Sequence, residues 1–202
     1  MTSSAHWLKA FPLAFAGLVA VLPAGAETLR ADVIVFLRPA SAELPAAIKS
    51  VKPDDRLAIA IDDDLGLKFS GIKILPESEF GLAREWRQLK SKADYEPLLK
   101  LAFTEENPAA SSGPALRLYQ PVGDGSGLSG WLRLNASKTG SVQVDIEYVL
   151  PQQGQAAAMA YQVKQKRTAS KPDATLYLDG GRLGMLVKLS HPVAKPVAVA
   201  HP

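Results

Sequence analysis

The chain contains no cysteine. That excludes a disulfide framework, a thiolate nucleophile and a zinc–thiolate centre, and it leaves the fold to rest on its hydrophobic core. Histidine is nearly as scarce: His6 lies near the N-terminus, and His191 and His201 lie at the other end. The interior therefore lacks the histidine that a Ser-His-Asp arrangement or a histidine-rich metal centre requires. Neither a cofactor nor a metal is expected, and an enzyme built here would have to work with carboxylate, lysine, tyrosine or serine. An excess of one charge is also missing, because 23 Lys and Arg oppose 20 Asp and Glu. So small a surplus is no nucleic-acid signature, although the calculated pI is ≈ 9.1.

A membrane-spanning run is absent too. The apolar stretch from Ala10 to Leu22 falls short of the roughly twenty residues that a spanning helix needs. It follows the cation Lys9 and closes on Pro23-Ala24-Gly25-Ala26, a small-x-small ending of the kind signal peptidase cuts. Residues 1–26 are expected to be a cleavable signal peptide, cut after Ala26, which sends a mature chain without a membrane span to the periplasm. No cysteine follows the run, so a lipoprotein anchor is excluded. Residues 27–190 suffice for one domain with its own core. The segment 191–202, HPVAKPVAVAHP, reads as a disordered Pro-rich tail.

What is present is alternation. Ala31 to Leu37 (ADVIVFL) is a near-continuous apolar run, which suits a central strand buried on both faces. Leu57 to Ile61 reads as a short strand closed by Asp62-Asp63-Asp64. These aspartates are consecutive and lack calcium-loop spacing, so a solvated turn is expected. After a brief strand at Ile72 to Leu75, Ser78 can cap a helix whose Leu82, Trp86 and Leu89 form one apolar stripe. Strands follow at Leu98 to Phe103, Ala115 to Tyr119, Leu128 to Asn135 and Ser141 to Leu150. The strongest turn signal is Asp179-Gly180-Gly181-Arg182. With the two glycines as a two-residue loop, Asp179 faces Arg182, Leu178 faces Leu183 and Leu176 faces Met185. One face of that hairpin is oily and the other polar. The fold class that results is a single α+β domain, a mainly antiparallel sheet of about seven or eight strands with one principal helix packed on it.

Two constellations could bind a ligand. Lys164 and Lys166 share a strand face, with Arg167 and Lys171 close by and Arg182 and Lys188 on the hairpin. Such cations hold carboxylates, for instance those of peptidoglycan peptide stems, or an acidic protein partner. The second constellation is aromatic: Trp131 with Arg133, and Tyr177 on the polar face of the hairpin, where a ring can stack on a sugar. Glu105, Glu106, Asp145 and Glu147 are the carboxylates open to catalysis, but Asp145 and Glu147 share a polar strand face and read as solvated. No spacing matches a catalytic motif, so a non-enzyme is expected.

Four stretches carry a family likeness. They are Ala31 to Phe36, Leu82 to Phe103, Gly130 to Tyr148, and Tyr177-Leu178-Asp179 with Leu183-Gly184-Met185-Leu186-Val187. Together they resemble the CsiV-like family of exported, peptidoglycan-binding proteins associated with cell-wall synthesis and cell shape. Lys166-Arg167 falls where that family has paired arginines, and Gly180-Gly181 stands where it has histidine and proline. The resemblance implies a non-catalytic periplasmic accessory protein whose partners are peptidoglycan and a cell-wall synthase or its activator. Lys164, Lys166, Arg167, Tyr177 and Arg182 are then the expected ligand-binding residues. Two other classes stay open: an envelope protein–protein interaction module without glycan affinity, and a carboxylate-dependent cell-wall hydrolase.

Overall fold

Alternating strands dominate the computed structural model, which describes residues 28–39, 48–49, 53, 58–109, 112–121, 127–137, 140–151, 159–171 and 173–191. The expected signal peptide, 1–26, and the tail beyond His191 lie outside the described residues. Within them the chain forms β1 (Thr28–Leu37), β2 (Ile48–Lys49), β3 (Ala58–Ala60), α1 (Asp64–Phe69), β4 (Ile72–Ile74), α2 (Ala83–Lys90) and β5 (Glu96–Glu106). Then come β6 (Ala115–Pro121), β7 (Gly127–Ala136), β8 (Val142–Pro151), β9 (Met159–Ala169), β10 (Thr175–Gly180) and β11 (Leu183–Ser190). They assemble into two sheets, ordered β10-β11-β1-β5-β4 and β2-β9-β8-β7-β6-β3. All pairings are antiparallel except β3 with β6.

The expectation of one sheet of seven or eight strands under one principal helix is corrected here. Strand content and antiparallel pairing hold, but the apolar faces meet each other. Ala31, Val33 and Val35 of β1 and Met185 and Val187 of β11 join Leu116, Leu132, Val144, Ile146 and Val163 in one core between the sheets. The reason is size. An eight-residue helix such as α2 is about 12 Å long, whereas six strands stand about 24 Å across. A helix cannot cover such a sheet; a second sheet can.

β1 sits between β11 and β5 and is buried on both faces, as its composition predicts. Its odd residues face the sandwich. Ile34 and Phe36 face the other way, against Phe80, Leu82 and Ala102, with Trp86 and Leu89 of α2 packed alongside. The stripe expected for that helix is therefore real, but its start is shifted. Ser78 lies in a 3-10 turn, Glu77–Glu79, and α2 begins without a side-chain cap of its own. The amide of Gly81, just before the helix, donates instead to the Asp32 carboxylate on β1 at 2.6 Å. At the opposite end of the layer, α1 packs against both β3 and β4, so it spans the edges of the two sheets. It drives Leu67 into the sandwich core. The aspartates before and within it are exposed, as expected of a solvated turn, and Asp63 caps the helix through Gly66 N–H at 2.9 Å.

The β10–β11 hairpin forms, with its register moved by two residues. Gly180 pairs with Leu183, Leu178 with Met185 and Leu176 with Val187, so the loop is Gly181-Arg182. Because side chains alternate with period two, a shift of two keeps every residue on its expected face. Gly181 has φ +57° and Arg182 is not in the left-handed region. That is the pattern of a type II′ turn, with glycine at its first central position. Gly180 has a different duty. A Cβ there would overlap the Gln162 carbonyl oxygen and stand 2.9 Å from Val163 Cα, because β10 lies directly on β9 of the other sheet. Gly180→Ala is expected to cost about 2 kcal/mol or more and Gly181→Ala about 1 kcal/mol, read from urea unfolding. A larger loss at Gly181 would contradict this division. Among the described residues, no helix is long and apolar enough to cross a membrane.

Candidate ligand groove

The outer face of the β10-β11-β1-β5-β4 sheet is apolar at one end, where α2 covers it, and polar at the other. Asp32 marks the boundary. It is 1% exposed, and burying a carboxylate is costly unless its lone pairs are filled. Arg30, two residues earlier and on the same strand face, fills them as a fork. Nε donates to Oδ2 at 2.9 Å and Nη2 to Oδ1 at 3.0 Å. Nη2 also donates to the Glu79 carbonyl oxygen. A Cβ on residue 81 would lie 2.8 Å from Asp32 Oδ2, so glycine there lets the backbone reach the carboxylate. These bonds raise the Arg30 pKa further above its ordinary value, against the opposing effect of burial. The guanidinium is thus a fixed, permanent cation with Nη1 left over.

Strand pairing extends this point into a row. Arg30 pairs with Ser190 on β11 and with Thr104 on β5, and Thr104 pairs with Lys73 on β4. The order across the sheet is hydroxyl, guanidinium, hydroxyl, ammonium, with Arg30 and Lys73 about 10 Å apart at the backbone. Lys188 pairs with Asp32 in the next row. Together these residues line an open groove of about 720 Å³, with Glu79, Asp173 and His191 at its margin. His191 Nδ1 lies 3.2 Å from the Thr28 carbonyl oxygen, which holds the end of β11 to the start of β1. Lys73 and Lys188 have no ion-pair partner among the described residues. A smaller hollow of about 210 Å³ beside Phe80 also holds a lysine, Lys100. That charge is already spent on Glu77.

The residues singled out from sequence fall elsewhere. Lys164 and Lys166 do share a face, the outer face of the second sheet. Each is matched across the strand, Lys164 to Glu147 at 3.1 Å and Lys166 to Asp145 at 3.5 Å. Arg167 is exposed and lies on the opposite face of β9, the side that carries Val163 into the core. Tyr177 lies on the first sheet, stacked on Phe36 with ring centroids 6.5 Å apart. Arg182 closes the hairpin, with Nε donating to the Arg38 carbonyl oxygen at 3.0 Å and its guanidinium over Tyr161. A single cationic face with Tyr177 is therefore not formed. β9 and β10 belong to different sheets, and the polar faces of a sandwich point in opposite directions. Trp131 and Arg133 do stack, at 5.3 Å. Glu147, expected to be solvated, is 3% exposed and also accepts from Gln162 at 3.1 Å.

The groove residues Arg30, Asp32, Lys73 and Thr104 were not anticipated as a site. One signal was available: an Arg-x-Asp pair on one face of an otherwise apolar strand. No protein-family model matches the chain, and no curated protein or solved structure matches it. What the groove does must be argued from its own geometry.

Glu105 stands apart from it. It pairs with Leu29 on the core-facing side of β5, is 2% exposed, and has no hydrogen-bond partner among the described residues. Burial pushes its pKa up to about 7. It is thus separated from Asp145 and Glu147, which belong to the other sheet's outer face, and the three do not flank a common cleft. Because the folded state holds this proton more tightly than the unfolded chain, ionisation adds almost no penalty at pH 4. Its penalty grows between about pH 4.5 and 7, reaching about 3 kcal/mol. Glu105→Gln should therefore gain stability relative to the parent as pH rises through that window, measured by urea unfolding at pH 4, 6 and 8. A difference that does not change with pH would contradict the assignment.

Proposed function

We propose that the protein is an exported, non-catalytic cell-wall accessory protein that holds peptidoglycan peptide stems in this groove. The observation that carries the reading is the row Ser190, Arg30, Thr104 and Lys73, with Lys188 beside it. A stem peptide presents carboxylates, amides and free amines. The remaining Nη1 of the fixed Arg30 and two lysines without an ion-pair partner among the described residues suit the carboxylates, the hydroxyls suit the amides, and Glu79 and Asp173 at the margin suit an amine. The resemblance to the CsiV-like family and the signal-peptide pattern of residues 1–26 support a periplasmic setting and a link to wall synthesis. A cell-wall synthase or its activator is the protein partner this reading entails.

Preorganisation favours the groove over the lysines of β9. An ammonium that already holds a carboxylate must give it up before it binds another, and exposed pairs exchange with little net gain. Arg30 is held by backbone and by a buried carboxylate, so it has lost its conformational freedom before any ligand arrives.

Purified sacculi test this directly. The protein should be retained above an unrelated protein of similar pI. Lys73→Ala with Lys188→Ala should weaken retention roughly tenfold, and Lys164→Ala with Lys166→Ala less than about twofold. Retention no better than the control would overturn the reading. Loss confined to the β9 pair would move the site to the other sheet.

A further inference from the structure

Three of the five large hydrophobic side chains exposed among the described residues lie on or just before α1, outside the groove; Tyr119 and Tyr177 are the other two. Ile61 is 38% exposed, Leu65 68% and Phe69 87%. Leu65 and Phe69 stand four residues apart on α1, one above the other on the same helical face. A frayed turn would explain such exposure, but α1 is firmly seated. Asp63 caps it, Leu67 is 6% exposed within the sandwich core, and Ser70 N–H closes the last turn on Gly66 and Leu67 carbonyls. Gly71, at φ +67°, ends the helix and accepts Glu106 N–H from β5 at 2.9 Å. The two apolar side chains are therefore presented from a fixed platform.

The margin of this patch is acidic. Asp62, Asp63 and Asp64 are all exposed, and none forms an ion pair among the described residues, while Lys68 is the one cation on the helix. We propose that α1 is a docking surface for a partner protein, which inserts apolar side chains over Leu65 and Phe69 and sets lysines or arginines against the three aspartates. Charge decides the occupant. A second copy bound through the same patch would set two aspartate triads against each other, and a bilayer with anionic headgroups would repel them. A basic segment with apolar anchors meets both halves of the surface, and aromatic anchors with arginine are what interface centres favour. This surface is separate from the groove and does not rest on the peptidoglycan reading.

Panning a phage-displayed random dodecapeptide library against the purified protein, with the Phe69→Ser variant as counter-target, tests the proposal. Phe69 is almost wholly in solvent, so the variant should keep the parent's melting temperature; Leu65→Ser serves as the second variant. The expected result is enrichment of peptides that combine lysine or arginine with leucine, phenylalanine or tryptophan. Synthetic versions should bind saturably. They should weaken roughly tenfold with Phe69→Ser and with Asp62→Asn/Asp64→Asn together, and should weaken again with added salt. The proposal is overturned by enrichment that ignores Phe69 or favours acidic peptides, and by finding no enrichment. It is equally overturned by Phe69-dependent dimerisation in analytical ultracentrifugation, or by Phe69-dependent retention on phosphatidylglycerol–phosphatidylethanolamine vesicles.

Discussion

The structure depends on β1 having to bury both of its faces. Its odd residues complete the core between the sheets and its even residues complete the layer beneath α2. A strand can do this only with neighbours on both edges, which β11 and β5 supply. A charge in such a strand is a liability unless every oxygen is satisfied. Asp32 meets that condition with a guanidinium fork and a backbone amide, and so turns the liability into an anchor. It ties the approach to α2 down onto the sheet and locks Arg30 in place. The apolar half of the outer face ends there, and the polar groove begins.

That anchor also separates the two outer faces of the sandwich in kind. On the second sheet, Glu147 with Lys164 and Asp145 with Lys166 form cross-strand pairs that satisfy themselves. Such ladders stabilise a surface modestly and leave little for a ligand. On the first sheet, Arg30 has its counter-ion on its own strand while Lys73 and Lys188 have none among the described residues. Equal numbers of charges would not reveal this contrast. The pairing does.

Much of the fold was legible because period-two patterns report faces directly. β1 carries a near-continuous apolar run and is buried on both faces, and β8 sends Val142, Val144, Ile146, Tyr148 and Leu150 into the core as its alternation requires, although Glu147 on its other face is buried as well. The β10–β11 hairpin shows the limit. Its faces were recovered although its register was displaced, because a shift of two preserves the alternation. Gly180 was misassigned to the loop because a glycine needed for close approach looks the same, in sequence, as one needed for positive φ. The division into two sheets was not legible either. An apolar face does not declare whether it will meet a helix or another sheet, and β9 and β10 are near neighbours in sequence yet belong to different layers. The groove was hidden for a related reason. Arg30, Lys73 and Thr104 are remote along the chain and become a row only when β1, β5 and β4 pair.

The groove and the α1 patch share one short piece of chain. Phe69 ends α1, Gly71 turns, and Lys73 sits in β4, paired to Thr104 on β5. Gly71 is held by β5 through Glu106 N–H, and Ile72 and Ile74 on either side of Lys73 pair with the same strand. A segment pinned at so many points forms one continuous support for both surfaces rather than the two-state element that an allosteric link requires. What the geometry offers is simultaneous occupancy. Two ligands on one rigid edge raise each other's effective concentration when they are themselves connected, without any change of shape in the protein between them. On the proposed reading, a partner anchored near the wall is such a pair of ligands. Rigidity, which would prevent a switch, is what a bridge of this kind requires.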